Sequence, residues 1–259
     1  KIVFDNAKLF LNEMAPKDIN LKEYLQRKKE FFSFEDVFER LIESLVNRGM
    51  MPKVIKFNER KAEFKKILYN FDTKRILSIY TNEDRLMEEV KKYFEIKNIQ
   101  SNRNLWRMLA RGIISGSRFL ASFNNKGEFD IFINKFSLNE YTREALPMLL
   151  AREIHGFGFA LACDFLKELG YRDYPKPDVH LIKIFSELKL SVAVDYEVYK
   201  AIIRMSKVVN EDAYTVDKYF WLISTGKFYP DPNDPKKEVK VGGKRDEFIQ
   251  DTKIRLSRI

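Results

Sequence analysis

Ile154-His155-Gly156-Phe157-Gly158-Phe159-Ala160-Leu161-Ala162-Cys163-Asp164, followed by Lys176-Pro177-Asp178-Val179-His180, is the stretch on which the reading of this chain turns. Upstream of it, Leu146, Leu149, Leu150 and Ile154 recur at helical spacing. Downstream, Ala162, Cys163, Leu166 and Leu169 do the same before Gly170 supplies a helix stop. Two helices therefore flank a very short turn, and the second starts at about Phe159. Gly156 and Gly158 permit positive φ and close approach of the backbone to another molecule, while Phe157 between them plugs into the core and holds the helices together. The first N–H groups of a helix lack internal acceptors and lie at the positive end of its dipole, so the start of the second helix favours an anion. A DNA phosphate suits such donors without any reading of base sequence.

Asp178 follows Pro177 and precedes Leu181, Ile184, Phe185 and Leu188, a pattern that predicts an N-cap for a helix beginning near Val179. Capping alone implies no chemistry. Its distance from the glycine turn is what raises the residue above other capping aspartates, since twenty positions separate Gly158 from Asp178.

The double-glycine turn has an apolar residue before the first Gly, another between the two, and Ala162 four residues after the second. With the carboxylate that follows, it resembles the helix-hairpin-helix motif as carried by the DNA glycosylase superfamily, which includes endonuclease III and the alkylpurine and 8-oxoguanine glycosylases. The resemblance covers roughly residues 104 to 228. Within it, Leu105 to Ser115 looks like the family's long buried helix, and Val216 to Gly226 looks like its closing helix. The resemblance implies an all-α fold of two helical lobes with a cleft between them, in which double-stranded DNA and a flipped base meet. It also implies Asp178 as the catalytic carboxylate, and DNA contacts from His155, Gly156, Phe157, Gly158, Phe159, Ala160 and Lys176. Tyr174, Trp221 and His180 are the candidates for lining a base pocket, because chemistry on a base in a duplex requires its extrusion.

Two departures from the family's pattern stand out. Members that also cut the DNA backbone carry a Lys two residues after the second hairpin Gly, where its amine forms a Schiff base with the sugar. This chain has Ala160 there, so a monofunctional glycosylase using water is expected, unless Lys176 or Lys183 reaches the same carbon. The family often has a Gln after Ile-Ile-Ser, at a position that invades the duplex, and this chain has Gly116 and Ser117 in its place. A non-catalytic helix-hairpin-helix DNA-binding protein is the alternative reading, and an all-helical interaction protein is a third. Some relatives hold an iron-sulfur cluster with four Cys, which a chain with Cys163 alone cannot do. No cofactor is expected to be required, and the resemblance adds a monovalent cation at the hairpin.

Composition agrees with a polyanionic partner. The chain has 47 Lys plus Arg against 38 Asp plus Glu, a formal charge of +9 and a pI near 9.3, which favours nucleic acid and salt-sensitive binding. The acids and bases are interleaved, so much of that charge is solvated helix face. By position, Lys167, Arg172, Lys176 and Lys183, basic residues near the hairpin, are the expected phosphate contacts. His155 and His180 are the only imidazoles, and no His or Cys spacing suggests a metal site. No apolar run approaches the length of a membrane span and the opening residues lack a signal pattern. A soluble, cytoplasmic, nucleoid-associated monomer is the resulting expectation.

The chain is long enough, at 259 residues, for one large core or two modest ones. Its sequence divides into an N-terminal helical region (1–98), the glycosylase-like core (99–229) and a tail (230–259) packing on the N-terminal region. Helical patterns run over Leu21 to Glu30, Phe34 to Arg48, Lys61 to Asn70 and Asn82 to Tyr93, Ser33 with Asp36 reads as a capping box, and Val54 to Phe57 reads as a short extended piece. In the tail, Pro230 to Pro235 ends the last core helix, and Val239 to Gly243 reads as a small hairpin or loop before a final helix.

Overall fold

The computed structural model describes residues 1–26, 31–96, 101–229 and 238–258. Among these residues the protein is all-α, with fifteen α-helices and one two-stranded ribbon. It folds as two compact units, Lys1–Lys29 with Leu166–Ile259 and Glu30–Phe165. The chain starts in the first unit with α1 (Ile2–Met14) and α2 (Leu21–Gln26). It then builds the second with α3 (Phe34–Val46), α4 (Met51–Ile55), α5 (Lys61–Ile67), a 3₁₀ turn at Tyr69–Phe71, α6 (Thr73–Ile79), α7 (Glu83–Tyr93), α8 (Leu105–Ala121), α9 (Lys126–Ser137) and α10 (Glu140–Glu153). Helix α11 (Phe159–Glu168) carries the chain back to the first unit, completed by α12 (Val179–Glu187), α13 (Asp195–Val209), α14 (Ala213–Thr225), β1 (Lys227–Phe228), β2 (Val239–Lys240) and α15 (Arg245–Leu256).

Unit Glu30–Phe165 is organised around α8. Its buried positions Trp106, Leu109, Ala110, Ile113 and Ile114 follow the i, i+3, i+4, i+7 rule that makes a broad apolar stripe. Helices α3, α6 and α7 pack on that stripe. Gly112 and Gly116 leave α8 without side chains where α3 crosses it: a Cβ at either position would fall 2.8 Å from a Leu45 or Leu41 methyl. Two ion pairs fix α7 to the polar edge of α8, Arg107 to Asp84 at 2.6 Å and Arg111 to Glu83 at 3.0 Å. The capping box of α3 is present, Ser33 Oγ accepting from Asp36 N while Asp36 accepts from Ser33 N.

The other unit centres on α14. Phe220 from α14 meets Phe4 of α1, Phe185 of α12 and Phe248 of α15 at ring-centroid distances of 6.3, 5.3 and 5.9 Å, all four side chains being fully buried. Helix α15 is also held to α1 by Asn6, whose amide donates to Asp251 and Thr252.

One local expectation is corrected. Val54 and Ile55 lie in α4, not in an extended piece, because Pro52 suits the first turn of a helix; Lys56, with φ of 52°, ends it in the left-handed region. The Leu21 pattern is helical to Gln26, beyond which its predicted end lies outside the described residues, as does Pro230 to Pro235. The tail hairpin is present as Lys227 pairing with Lys240 and Phe228 with Val239. The division into units does not follow chain order: the segment 1–98 contributes to both units, since α1 packs on α14 and α15 whereas α3 to α7 pack with α8.

Candidate functional site

The turn between α10 and α11 is built as its residues dictate. Ile154 ends α10 in an extended conformation, fully buried, and Gly156 turns the chain at φ of +93°, a conformation that L side chains rarely adopt. Phe157 is 7% exposed and packs on Phe165 at 5.8 Å, anchoring the turn to the helix that follows. Gly158 O accepts from Leu161 N and Ala162 N, so Gly158 is the N-cap of α11. At its other end α11 closes on Gly170, φ +98°, with Gly170 N donating to Lys167 O and Tyr171 N to Leu166 O, the paired bonds of a Schellman cap.

Helix α8 holds this turn in place. His155 N donates to Ser115 Oγ at 2.8 Å, and Ser115 Oγ donates back into α8 at Arg111 O, 2.9 Å. The absence of a side chain at Gly112 admits His155 O, which a Cβ there would approach to 2.8 Å. Helix α3 adds a second attachment: Asp164, 4% exposed, pairs with Arg40 at 3.1 Å and accepts from Ser44 Oγ at 3.0 Å.

The two turn glycines differ in what demands them. Gly156 is required by its backbone. Gly158 is exposed, is outside the left-handed region, and would bring an added Cβ within 4 Å of nothing. Nothing inside the protein calls for a glycine at 158. His155 is exposed beside it, and Phe159 and Ala160 are half-buried in the first turn of α11, where N–H groups have no acceptor within the helix.

In the unit that carries α12, Asp178 is the N-cap of that helix, its Oδ1 accepting from His180 N at 2.9 Å and Leu181 N at 3.2 Å. Oδ2 has no hydrogen-bond partner among the described residues. Val179, next in the chain, is 72% exposed, and Asp178 itself is half-buried, so the open oxygen belongs to a residue on accessible surface. The link that leads to it, Pro175-Lys176-Pro177, is held by Lys176 N donating to Asp217 Oδ2 at 2.6 Å. Asp217 lies in α14, 1% exposed, and forms an ion pair with the equally enclosed Lys167 at 3.1 Å. Burial pushes the Asp217 carboxyl up, and Lys167 and the Lys176 N–H pull it back.

The other sequence candidates take varied places. Tyr174 is fully enclosed and presents no ring face to a ligand in this arrangement. Trp221 is half-buried with Lys218 Nζ 4.7 Å from its ring centroid. His180 is half-buried, and its Nδ1 has no partner among the described residues. Of the basic residues near the hairpin, Lys167 is committed to Asp217, Arg172 to Asp212 at 2.8 Å, and Lys183 to Glu187 at 2.7 Å. For Lys167 this corrects the expectation of a phosphate contact, because its ammonium is enclosed. Gly116 and Ser117 are buried in α8, so neither projects toward a duplex. No cluster of metal-ligating side chains occurs among the described residues, and none of their helices is long and apolar enough to cross a membrane.

The class that the fold defines is all-α, with two compact helical units. In particular, the fold is similar to that of the Methanocaldococcus jannaschii 8-oxoguanine glycosylase/lyase in its crystal structure with a 15mer DNA containing 8-oxoguanine. The TM-score is 0.54 over 88% of this chain and 100% of that one, at 20% sequence identity. At that identity the likeness is one of fold. No family model and no curated protein matches the chain.

Proposed function

We propose that the protein is a DNA glycosylase that binds double-stranded DNA through the α10–α11 turn, flips a damaged or modified base and hydrolyses its N-glycosidic bond. The observation that carries this reading is the state of Asp178: one carboxylate oxygen caps α12 and fixes the residue, and the other has no hydrogen-bond partner among the described residues. As the C1′–N bond breaks, its electron pair leaves with the base and positive charge develops on the deoxyribose. A held carboxylate stabilises that charge, and its open oxygen orients water and takes the proton as the water oxygen bonds to C1′. The arrangement needs no cofactor.

The turn supplies the grip on DNA. Bare backbone at Gly158, the exposed His155 and the start of α11 suit a phosphate oxygen. Ala160 has no amine, so the product is an abasic site with an intact strand, the outcome of a monofunctional enzyme of base excision repair. A duplex containing 8-oxoguanine is the first substrate to try, because the structurally similar protein was crystallised with one.

A second reading, a helix-hairpin-helix protein that binds DNA without chemistry, is favoured by Ala160 and by the burial of Gly116 and Ser117. Incubation with a panel of modified-base duplexes, followed by alkali to reveal abasic sites, separates the two. Alkali-dependent cleavage at one modified base supports the glycosylase. Salt-sensitive binding with no base released from any duplex supports the second reading.

A further inference from the structure

Asp217 is a buried charge that the hydrolysis just described does not use. Its Oδ2 accepts from both Lys167 Nζ and Lys176 N, whereas Oδ1 is buried with no partner among the described residues. An unpaired buried oxygen is unfavourable, and apolar side chains in place of a buried ion pair are often as stable or more so. Stability alone therefore does not account for this arrangement.

Geometry does. Between Tyr174 and Asp178 the prolines at 175 and 177 have no N–H, so Lys176 carries the single backbone donor of the link, and Asp217 receives it. The prolines fix their own φ and confine Tyr174 and Lys176 to extended conformations. Asp178 N then donates to Lys176 O at 2.9 Å. A displacement of Lys176 is thus passed to Asp178 through few soft torsions.

We propose that Asp217 is a positioning residue for Asp178: its carboxylate, held by Lys167, pins Lys176 and thereby sets where Asp178 presents its open Oδ2 to the sugar. This rests on the glycosylase reading above.

Two double variants test it. Lys167→Met with Asp217→Leu removes the ion pair and the acceptor for Lys176; Lys167→Met with Asp217→Asn removes the same charges but keeps an acceptor oxygen. Single-turnover base release, duplex Kd and hydrogen exchange at the Lys176 amide are measured for both and for wild type. The Leu variant is expected to bind duplex like wild type, to exchange Lys176 faster, and to release base about 100-fold more slowly, the scale of an ångström's misplacement. The Asn variant is expected to recover about tenfold or more of that loss. A folded Leu variant with the wild-type rate, or an Asn variant as slow as the Leu variant, overturns the proposal. Should the Leu variant not fold, Asp217→Glu decides: an unchanged rate overturns the proposal, and a fall in kcat at constant Kd supports it. A wild type that releases no base overturns the glycosylase reading and, with it, the catalytic part of this inference; an active wild type beside an equally active Leu variant overturns the inference alone.

Discussion

At the scale of single residues, Asp178 and Gly158 separate fold from function with unusual clarity, because each can be changed without disturbing what the fold asks of it. Asparagine caps a helix as well as aspartate does. Asp178→Asn should therefore keep the melting temperature and the duplex Kd near wild type while abolishing base release; activity retained in that variant would remove the residue from the mechanism. Asp178→Ala, by contrast, also loses the cap and should be about 0.5–2 kcal/mol less stable in denaturant titration. Gly158 is an N-cap with open space around it. Serine is a better N-cap than glycine, so Gly158→Ser should fold normally, but its side chain would stand where a phosphate approaches, and duplex affinity should fall by about tenfold, or about 1.4 kcal/mol. Unchanged affinity would place the DNA contact elsewhere.

Among the elements, the α8 surface decides how the turn is held. Gly112 and Gly116 are one helical turn apart and both receive α3 leucines, yet they are not equivalent. The Cβ of an alanine at 116 meets only Leu41 side-chain atoms, which can move, and the higher helix propensity of alanine, about 1 kcal/mol, offsets the crowding. At 112 the same Cβ also meets the carbonyl of His155, which cannot yield without moving the turn. Gly116→Ala should be near neutral in thermal melts, and Gly112→Ala should lose about 1–3 kcal/mol, the range for overpacked sites, and weaken duplex binding as well. Equal effects of the two changes would show that His155 is not held against α8.

For the molecule as a whole, the count of 47 Lys plus Arg behind the net charge of +9 overstates what is offered to DNA. Arg40, Arg107, Arg111, Lys167 and Arg172 are all engaged in ion pairs within the protein. Each phosphate neutralised contributes about 0.9 to the slope of log Kd against log salt. The slope measured from about 50 to 200 mM salt should be clearly non-zero but well short of the value for nine contacts. A flat dependence would sink the DNA-binding reading in both its catalytic and non-catalytic forms.

Local signals were legible in the amino-acid order because short-range physics produces them. Glycine and proline limit their own torsions and those beside them, which is why the turn at Gly156, the start of α11 at Phe159, the stop at Gly170 and the Asp178 cap are readable from neighbours alone. Two buried charges left a faint trace of the same kind, Lys167 and Asp217 each standing on an apolar stripe, beside Cys163 and Leu166 in one helix and Val216 and Phe220 in the other. Their pairing was not readable, because fifty residues separate them and nothing local favours one partner over another. The same holds for His155 on Ser115, Arg40 on Asp164, and the joining of α1 to α14 and α15 in one unit. Sequence by itself thus determined an all-helical chain with a glycine turn and a capping carboxylate. Tertiary structure alone decided that the neighbouring Lys176 N–H is tied to Asp217 on a distant helix, since that contact forms only when remote segments pack.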